Sequence, residues 1–297
     1  MSFFDLAPMK VAGVTIIRNA IRYDYPVVES IKSVLPLVDI MYVGVGQSED
    51  QTRQLVQSIP SEKIVIVDTV WDDNLREGGK VLAVETNKVL DCVGDDFDWI
   101  IYIQGDEVLH ESGIENIRKG MQQYLKDPRV EGLLLQYKHF YGHYRYIGDS
   151  RRWYRQEVRI VKNIKGLRSF RDAQGFRINQ RLIRVKMMDA FMHHYGWVKN
   201  PKIQLEKDKS FQKLWHDDHT LQTRTIEASE YDYQNIDSLK IYTGTHPAVM
   251  HLRIESADWD FKYDTKIRRL SFKNRFLELL EKLTGYRFFE YKNFKRV

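Results

Sequence analysis

The chain predicts an α/β fold: a mostly parallel sheet flanked by helices, with a helical C-terminal extension. Three observations carry this. Short apolar, β-branched runs alternate with segments of helical periodicity through the first 137 residues. Polar or proline-containing junctions separate them. The runs themselves are continuous rather than alternating, as strands covered on both faces must be.

Residues 10–17 (KVAGVTII) make the first strand, which ends at Arg18-Asn19. Asp24 and Pro26 open a helix whose Val27, Val28, Ile31, Val34 and Leu35 share a face, and Pro36 stops it. Residues 38–45 form the second strand. Ser48 or Asp50 is expected to cap a helix running through Ile59, which Pro60 ends. Lys63 to Val67 are a third strand. After a polar loop over 68–80, a helix follows from about Lys80 to Val93. The run WIIYI (99–103) is a fourth strand. Ser112 with Glu115 gives a capping-box signal for a helix burying Ile114, Ile117, Met121 and Leu125. GLLLQY (132–137) is a further buried strand.

Beyond Tyr137 the chain fills with Arg, Tyr and His. A hairpin or irregular segments are expected around a strand near Glu157–Lys162, and residues 166–179 read as a loop. A helix is predicted from Pro201 to His219. Residues 220–250 are polar and turn-rich. A basic amphipathic helix spans about 264–283, with Gly285 as its stop.

The 297 residues, 43% hydrophobic and 29% charged, suit a globular α/β domain with an appendage. The single cysteine, Cys92, excludes an intrachain disulfide or a Cys-based zinc site. No secretory signal is expected from MSFFDLAPMK, and no run reaches the ~18 apolar residues of a membrane span. The net charge of +5 is uneven. Residues 261–297 hold eleven Lys/Arg against four Asp/Glu, a net of +7, which leaves the first 260 residues at −2.

The chemistry concentrates at residues 96–111 (DFDWIIYIQGDEVLHE). Asp106 and Glu107 follow the fourth strand at its C-terminal end, where open α/β sheets hold ligands. Hard divalent cations take carboxylate oxygens there, and a diphosphate would complete the shell. A solvated acidic turn is the plain alternative.

These residues, taken with Ser48-Glu49-Asp50-Gln51-Thr52 after the second strand and a helix carrying Gly79, Ala83 and Asn87, resemble the inverting glycosyltransferases of family 2, which have a GT-A fold. The resemblance covers roughly the first 115 residues. It implies a nucleotide-diphosphate-sugar donor across the strand ends, bound by Asn19, Ser48, Asp50, Gly79, Asn87, Gln104, Asp106 and Arg177. Mg²⁺ or Mn²⁺ would be held on Asp106, with Glu107 as a further ligand, behind it or facing the acceptor. Gln104 stands where the family has its first Asp, and Val45-Gly46 where it has an acidic pair near the base. The element His193-His194-Tyr195 resembles a related subgroup's and makes His194 a third metal ligand. A carboxylate base is required for inversion; the candidates are Asp172, Asp217 and Asp218, with Asp172 first. Arg159, Arg168, Arg171 and Arg177 are candidate phosphate clamps.

The division implied is 1–137 as the nucleotide-sugar half and 138–219 as the acceptor half of a glycosyltransferase domain, then a 220–297 extension. The acceptor would be a glycan or a lipid-linked sugar of cell-surface polysaccharide synthesis. The location would be cytoplasmic, or peripheral at the inner face of the membrane. The basic helix suits an anionic membrane surface and equally suits packing on the domain with a basic outer face. Two other classes compete. A nucleic-acid-binding protein would use residues 138–186 and the tail, but no recognised module is present and no nucleic acid is expected. A nucleotidyltransferase would carry a glycine-rich basic signature after its first strand, which Val14–Asn19 lacks.

Overall fold

The computed structural model describes residues 9–216 and 228–297. The fold is mixed α/β, a central sheet with helices on both faces. Strands β1 (Val11–Ile17), β2 (Ile40–Gly46), β3 (Ile64–Thr69) and β4 (Trp99–Tyr102) run parallel in the order β3-β2-β1-β4. Alternate side chains of each strand enter different cores. Val11, Ile17, Trp99 and Ile101 pack under α1 (Val27–Val34) and α4 (Ile114–Tyr124). Ala12, Val14, Ile16, Ile100 and Tyr102 pack under α3 (Lys80–Leu90) on the other face. This two-sided burial is why the runs are continuously apolar.

The parallel run stops at β4. Strand β8 (Gln156–Lys162) inserts antiparallel between β4 and β6 (Gly132–Tyr141), and β7 (His143–Gly148) folds back on β6. The segment MMDAFMHHYGW belongs to one long strand, β12 (Arg184–Trp197). It runs parallel to β6 and pairs antiparallel with β5 (Glu107–Leu109). Residues 228–297 join the same sheet: Leu239–Ile241 pairs with β7 and Lys295–Arg296 with β12. Tyr233, Ile236, Leu239, Phe261 and Tyr263 share a core with Tyr141, Tyr146 and Trp153. No helix among the described residues is long and apolar enough to cross a membrane.

Several local expectations are corrected. Residues 166–179 are not a loop. Leu167–Phe170 (β9) and Gly175–Ile178 (β10) form a hairpin extended by β11 (Arg181–Leu182), and Leu167, Phe176 and Ile178 are buried. Its turn uses non-glycine residues at positive φ, Arg171 (55°) and Ala173 (59°), so no turn signal marks it. In the helix after β2, α2 (Thr52–Gln57), Gln51 holds the N-cap position without a side-chain bond, and Asp50 Oδ1 accepts from the first helical N–H, that of Thr52, at 2.9 Å. Ser112 and Glu115 form no capping box. His110 caps a short 3₁₀ turn there, and Glu115 pairs with Arg118. The basic helix begins only at Phe272, where Ser271 caps it, and Gly285 stops it in a left-handed conformation. The helix from Pro201, α5, ends at Gln212.

Candidate functional site

At the C-terminal end of β4 the chain turns sharply: the Glu107 N–H donates to the Gln104 carbonyl at 3.0 Å. Strand β5 then pairs with β12 so that His194 stands opposite Glu107, and the Tyr195 N–H donates to the Asp106 carbonyl at 2.8 Å. Sheet pairing thus brings together residues 87 and 89 apart in sequence.

The two adjacent carboxylates have different tasks. Glu107 is fully buried. It accepts from Arg159 Nε and Nη2, each at 2.8 Å, from the Tyr137 hydroxyl at 2.7 Å and from the Gln104 N–H at 3.1 Å. Arg159 lies between the Tyr102 and Tyr137 rings, 5.4 and 5.6 Å from their centroids. Glu107 therefore has no lone pair to spare for a metal, and Arg159 is its counter-ion rather than a phosphate clamp.

Asp106 faces a cleft. Its Oδ1 is 3.8 Å from His194 Nε2, and its Oδ2 is 3.5 Å from Lys207 Nζ, which also donates to the Gly196 carbonyl at 2.8 Å. The tautomer of His194 follows from its neighbours. His139 Nε2 contacts the Tyr154 carbonyl at 2.8 Å, so that nitrogen carries the proton. His139 Nδ1 is then an acceptor, 3.4 Å from His194 Nδ1, which must donate to it. Burial holds both imidazoles below their usual range, and hence neutral. His194 Nε2 is left with a lone pair aimed at a carboxylate oxygen. Two acceptors facing each other at that distance want a cation between them.

Asp106 and His194 are accordingly the two side chains here that would hold a divalent cation. Among the described residues no three His, Cys, Asp or Glu side chains converge as a self-sufficient metal site. Lys199 is the second amine here. It is fully buried, donates to the Asp24 carbonyl at 3.1 Å, and burial pushes it down to about 7.

The cleft, a cavity of about 610 Å³, is lined by Asn19, Trp71, Gln104, Asp106, Ala173 and Lys207 among others. A second cavity of about 550 Å³ is lined by Gln104, Tyr154, Glu157, Arg159 and Asp172. Gln104 borders both. Asp172 sits in the β9–β10 turn, between the two positive-φ residues. Burial raises its carboxyl above the usual range, and its Oδ1 is buried without a hydrogen-bond partner. Gly79, itself at φ 70°, leaves the room for it; a Cβ there would come within 2.9 Å of the Asp172 Cβ.

The other expected donor contacts are mostly used to build the walls. Ser48 Oγ accepts from the Asn19 N–H at 3.0 Å, and Asn19 Oδ1 accepts from the Glu49 N–H at 2.8 Å. Asp50 accepts from the Thr52 N–H at 2.9 Å and the Arg22 N–H at 2.7 Å. Asn87 Oδ1 accepts from the Ser169 N–H at 2.8 Å, which fixes the hairpin carrying Asp172. Arg177 donates to the Phe176 and Asn293 carbonyls at 2.8 and 2.9 Å, clasping the C-terminal segment away from the cleft. Arg168 pairs with Asp91 at 2.8 Å. Asp217 and Asp218 lie outside the described residues. Lys199, Lys207, His139 and Trp71 are additions. Only the aromatic placement of Trp71 in the 68–80 loop signals any of them in the sequence.

No protein-family model matches the chain, and neither does any curated protein. Solved structures are similar over part of it. Residues 1–349 of S. aureus TarS in complex with UDP match at 16% identity and a TM-score of 0.35, covering 46% of this chain and 37% of that one. Mannosyl-3-phosphoglycerate synthase from Rubrobacter xylanophilus matches at 18% and 0.29, covering 45% and 41%. Glucosyl-3-phosphoglycerate synthase from Mycobacterium tuberculosis, in complex with Mn²⁺, UDP and phosphoglyceric acid, matches at 19% and 0.29, covering 46% and 44%. The chain thus covers less than half the length of each of these structures.

Proposed function

We propose that the protein is a GT-A-type, family 2-like glycosyltransferase that moves a sugar from a nucleotide-diphosphate donor to a hydroxyl of a glycan or lipid-linked acceptor, with inversion. The observation that carries this is the Asp106–His194 pair: two acceptors facing each other at 3.8 Å on the wall of a large cleft at the end of β4. A divalent cation bound there would neutralise charge building on a departing nucleoside diphosphate. Lys207, beside Asp106, offers an ammonium to the same phosphates. Trp71, with Arg18 5.9 Å from its ring centroid, offers a flat face for the base.

The acceptor enters through the second cavity, and Asp172 takes the proton of its attacking hydroxyl. A desolvated carboxylate with an unpartnered oxygen is a stronger base than a solvated one. Glu157, pushed up to about 7 by burial, shares that cavity and is the rival base.

The test is a thermal-shift panel of nucleoside diphosphates with and without Mn²⁺. Stabilisation by one nucleotide, greater with metal, supports the donor site and names the base. No response to any nucleotide would remove this reading.

A further inference from the structure

The C-terminal helix, Phe272–Thr284, is mounted inside out. Its acids face the protein: Glu278 pairs with Arg268 at 2.8 Å, and Glu281 with Arg151 at 2.5 Å and Arg155 at 2.8 Å. Only Leu277 of the helix is buried. The apolar stripe points outward, with Phe272 89%, Phe276 54%, Leu279 54% and Leu283 74% exposed. At about 100° per residue these four lie within an arc of roughly 60°. Lys273 borders the stripe on one side, and Arg275 and Lys282 on the other. None of the three forms an ion pair with a carboxylate among the described residues.

We propose that this face docks on an anionic phospholipid bilayer, with the stripe entering the boundary between headgroups and acyl chains and the basic rim on the phosphates. Of the two arrangements open to a basic amphipathic helix, packing by its apolar side on the described residues is excluded by the exposure of that side. The charge pattern chooses the occupant. The acids are consumed inward, so the outward surface offers cations around an apolar centre. In a two-fold pair of copies, each basic rim would lie against its twin without a counter-charge. A bilayer supplies both the apolar layer and the negative charge.

The same helix contributes Lys273 and Leu277 to the wall of the cavity that holds Asp172. Docking therefore sets that cavity beside the headgroup layer, where a lipid-linked acceptor would present its sugar; this last step rests on the glycosyltransferase reading, while docking does not.

The experiment is co-sedimentation of the full chain with phosphatidylcholine vesicles containing about one third phosphatidylglycerol, compared with pure phosphatidylcholine vesicles. The wild type is expected to pellet with the anionic vesicles, to be released by salt, and to stay in solution with the neutral ones. The triple variant Phe272→Ser, Phe276→Ser, Leu283→Ser should bind at least about tenfold more weakly. Because those side chains are exposed, it should keep its melting temperature and its nucleotide-induced thermal shift. Wild type that stays in solution with anionic vesicles overturns the proposal. So does a concentration-dependent dimer in light scattering that the triple variant abolishes. Nucleotide binding is read on the same samples, so a failed donor site and a failed membrane face give different results.

Discussion

His139 aims His194 at Asp106. By giving its Nε2–H to the Tyr154 carbonyl at 2.8 Å, it can only accept from His194 at Nδ1, and the remaining His194 lone pair points at the carboxylate. His139→Phe keeps the ring stacking on Tyr137 and Trp153 but removes this acceptor. Isothermal titration should show Mn²⁺ affinity in the presence of the nucleotide weakened about 10- to 100-fold, with metal-free nucleotide affinity nearly unchanged.

Asp106→Asn removes the charge that would bind the cation. Turnover and the metal-dependent part of the nucleotide thermal shift should both vanish, while far-UV circular dichroism stays that of the wild type. Wild-type-like activity would dismiss the metal assignment.

Asp172→Asn tests the base. Its carboxyl is raised by burial, and a base acts only when ionised. In the wild type, kcat/KM should therefore fall on the acid side at a higher pH than a solvated Asp would give. The variant should lose about 10²- to 10⁴-fold in turnover, together with that acid limb, and still bind nucleotide. Retention of the limb in Asp172→Asn and its loss in Glu157→Gln would move the role to Glu157.

Glu107→Gln leaves Arg159 buried without its counter-charge. Urea denaturation should show destabilisation by about 3–5 kcal/mol. Loss of metal binding with unchanged stability would instead make Glu107 a ligand.

Glu131 gives a stability test by pH. Burial works against its ionisation, but hydrogen bonds from Arg181 and Arg184 outweigh that and hold it at about 2. A folded pKa below the unfolded value of about 4.3 means that its contribution is complete above that pH and is lost as pH falls toward 2. Glu131→Gln should flatten the decline of melting temperature across this window.

The parallel strands and the helices of the first half were legible because they declare themselves by local periodicity and prolines, whereas the short β5 does not, since it exists only by pairing with β12. Asp106 was legible as a strand-end carboxylate, and His194 through the motif around it. Their neighbours were not. Arg159 sits in an arginine-rich strand, and nothing local tells a clamp for phosphate from the partner of a glutamate 52 residues away. Lys207 occupies an ordinary polar helix, and only the turn after β12 brings that helix to Asp106. The Asp172 hairpin was hidden because its turn uses Arg171 and Ala173 at positive φ where glycines would have marked it. Ser48, Asp50 and Asn87 occupy the expected positions, yet they work on the backbone rather than in the cleft.

The internal neutralisation of Glu107 by Arg159 has a kinetic consequence. With that carboxylate cancelled inside the sheet, the described residues of the cleft lining comprise six Lys and Arg against four Asp and Glu. A multiply charged anion would approach a net positive mouth bounded by low-dielectric walls, which focuses the field and speeds capture. Its association rate should fall as ionic strength rises, even where its final affinity changes little.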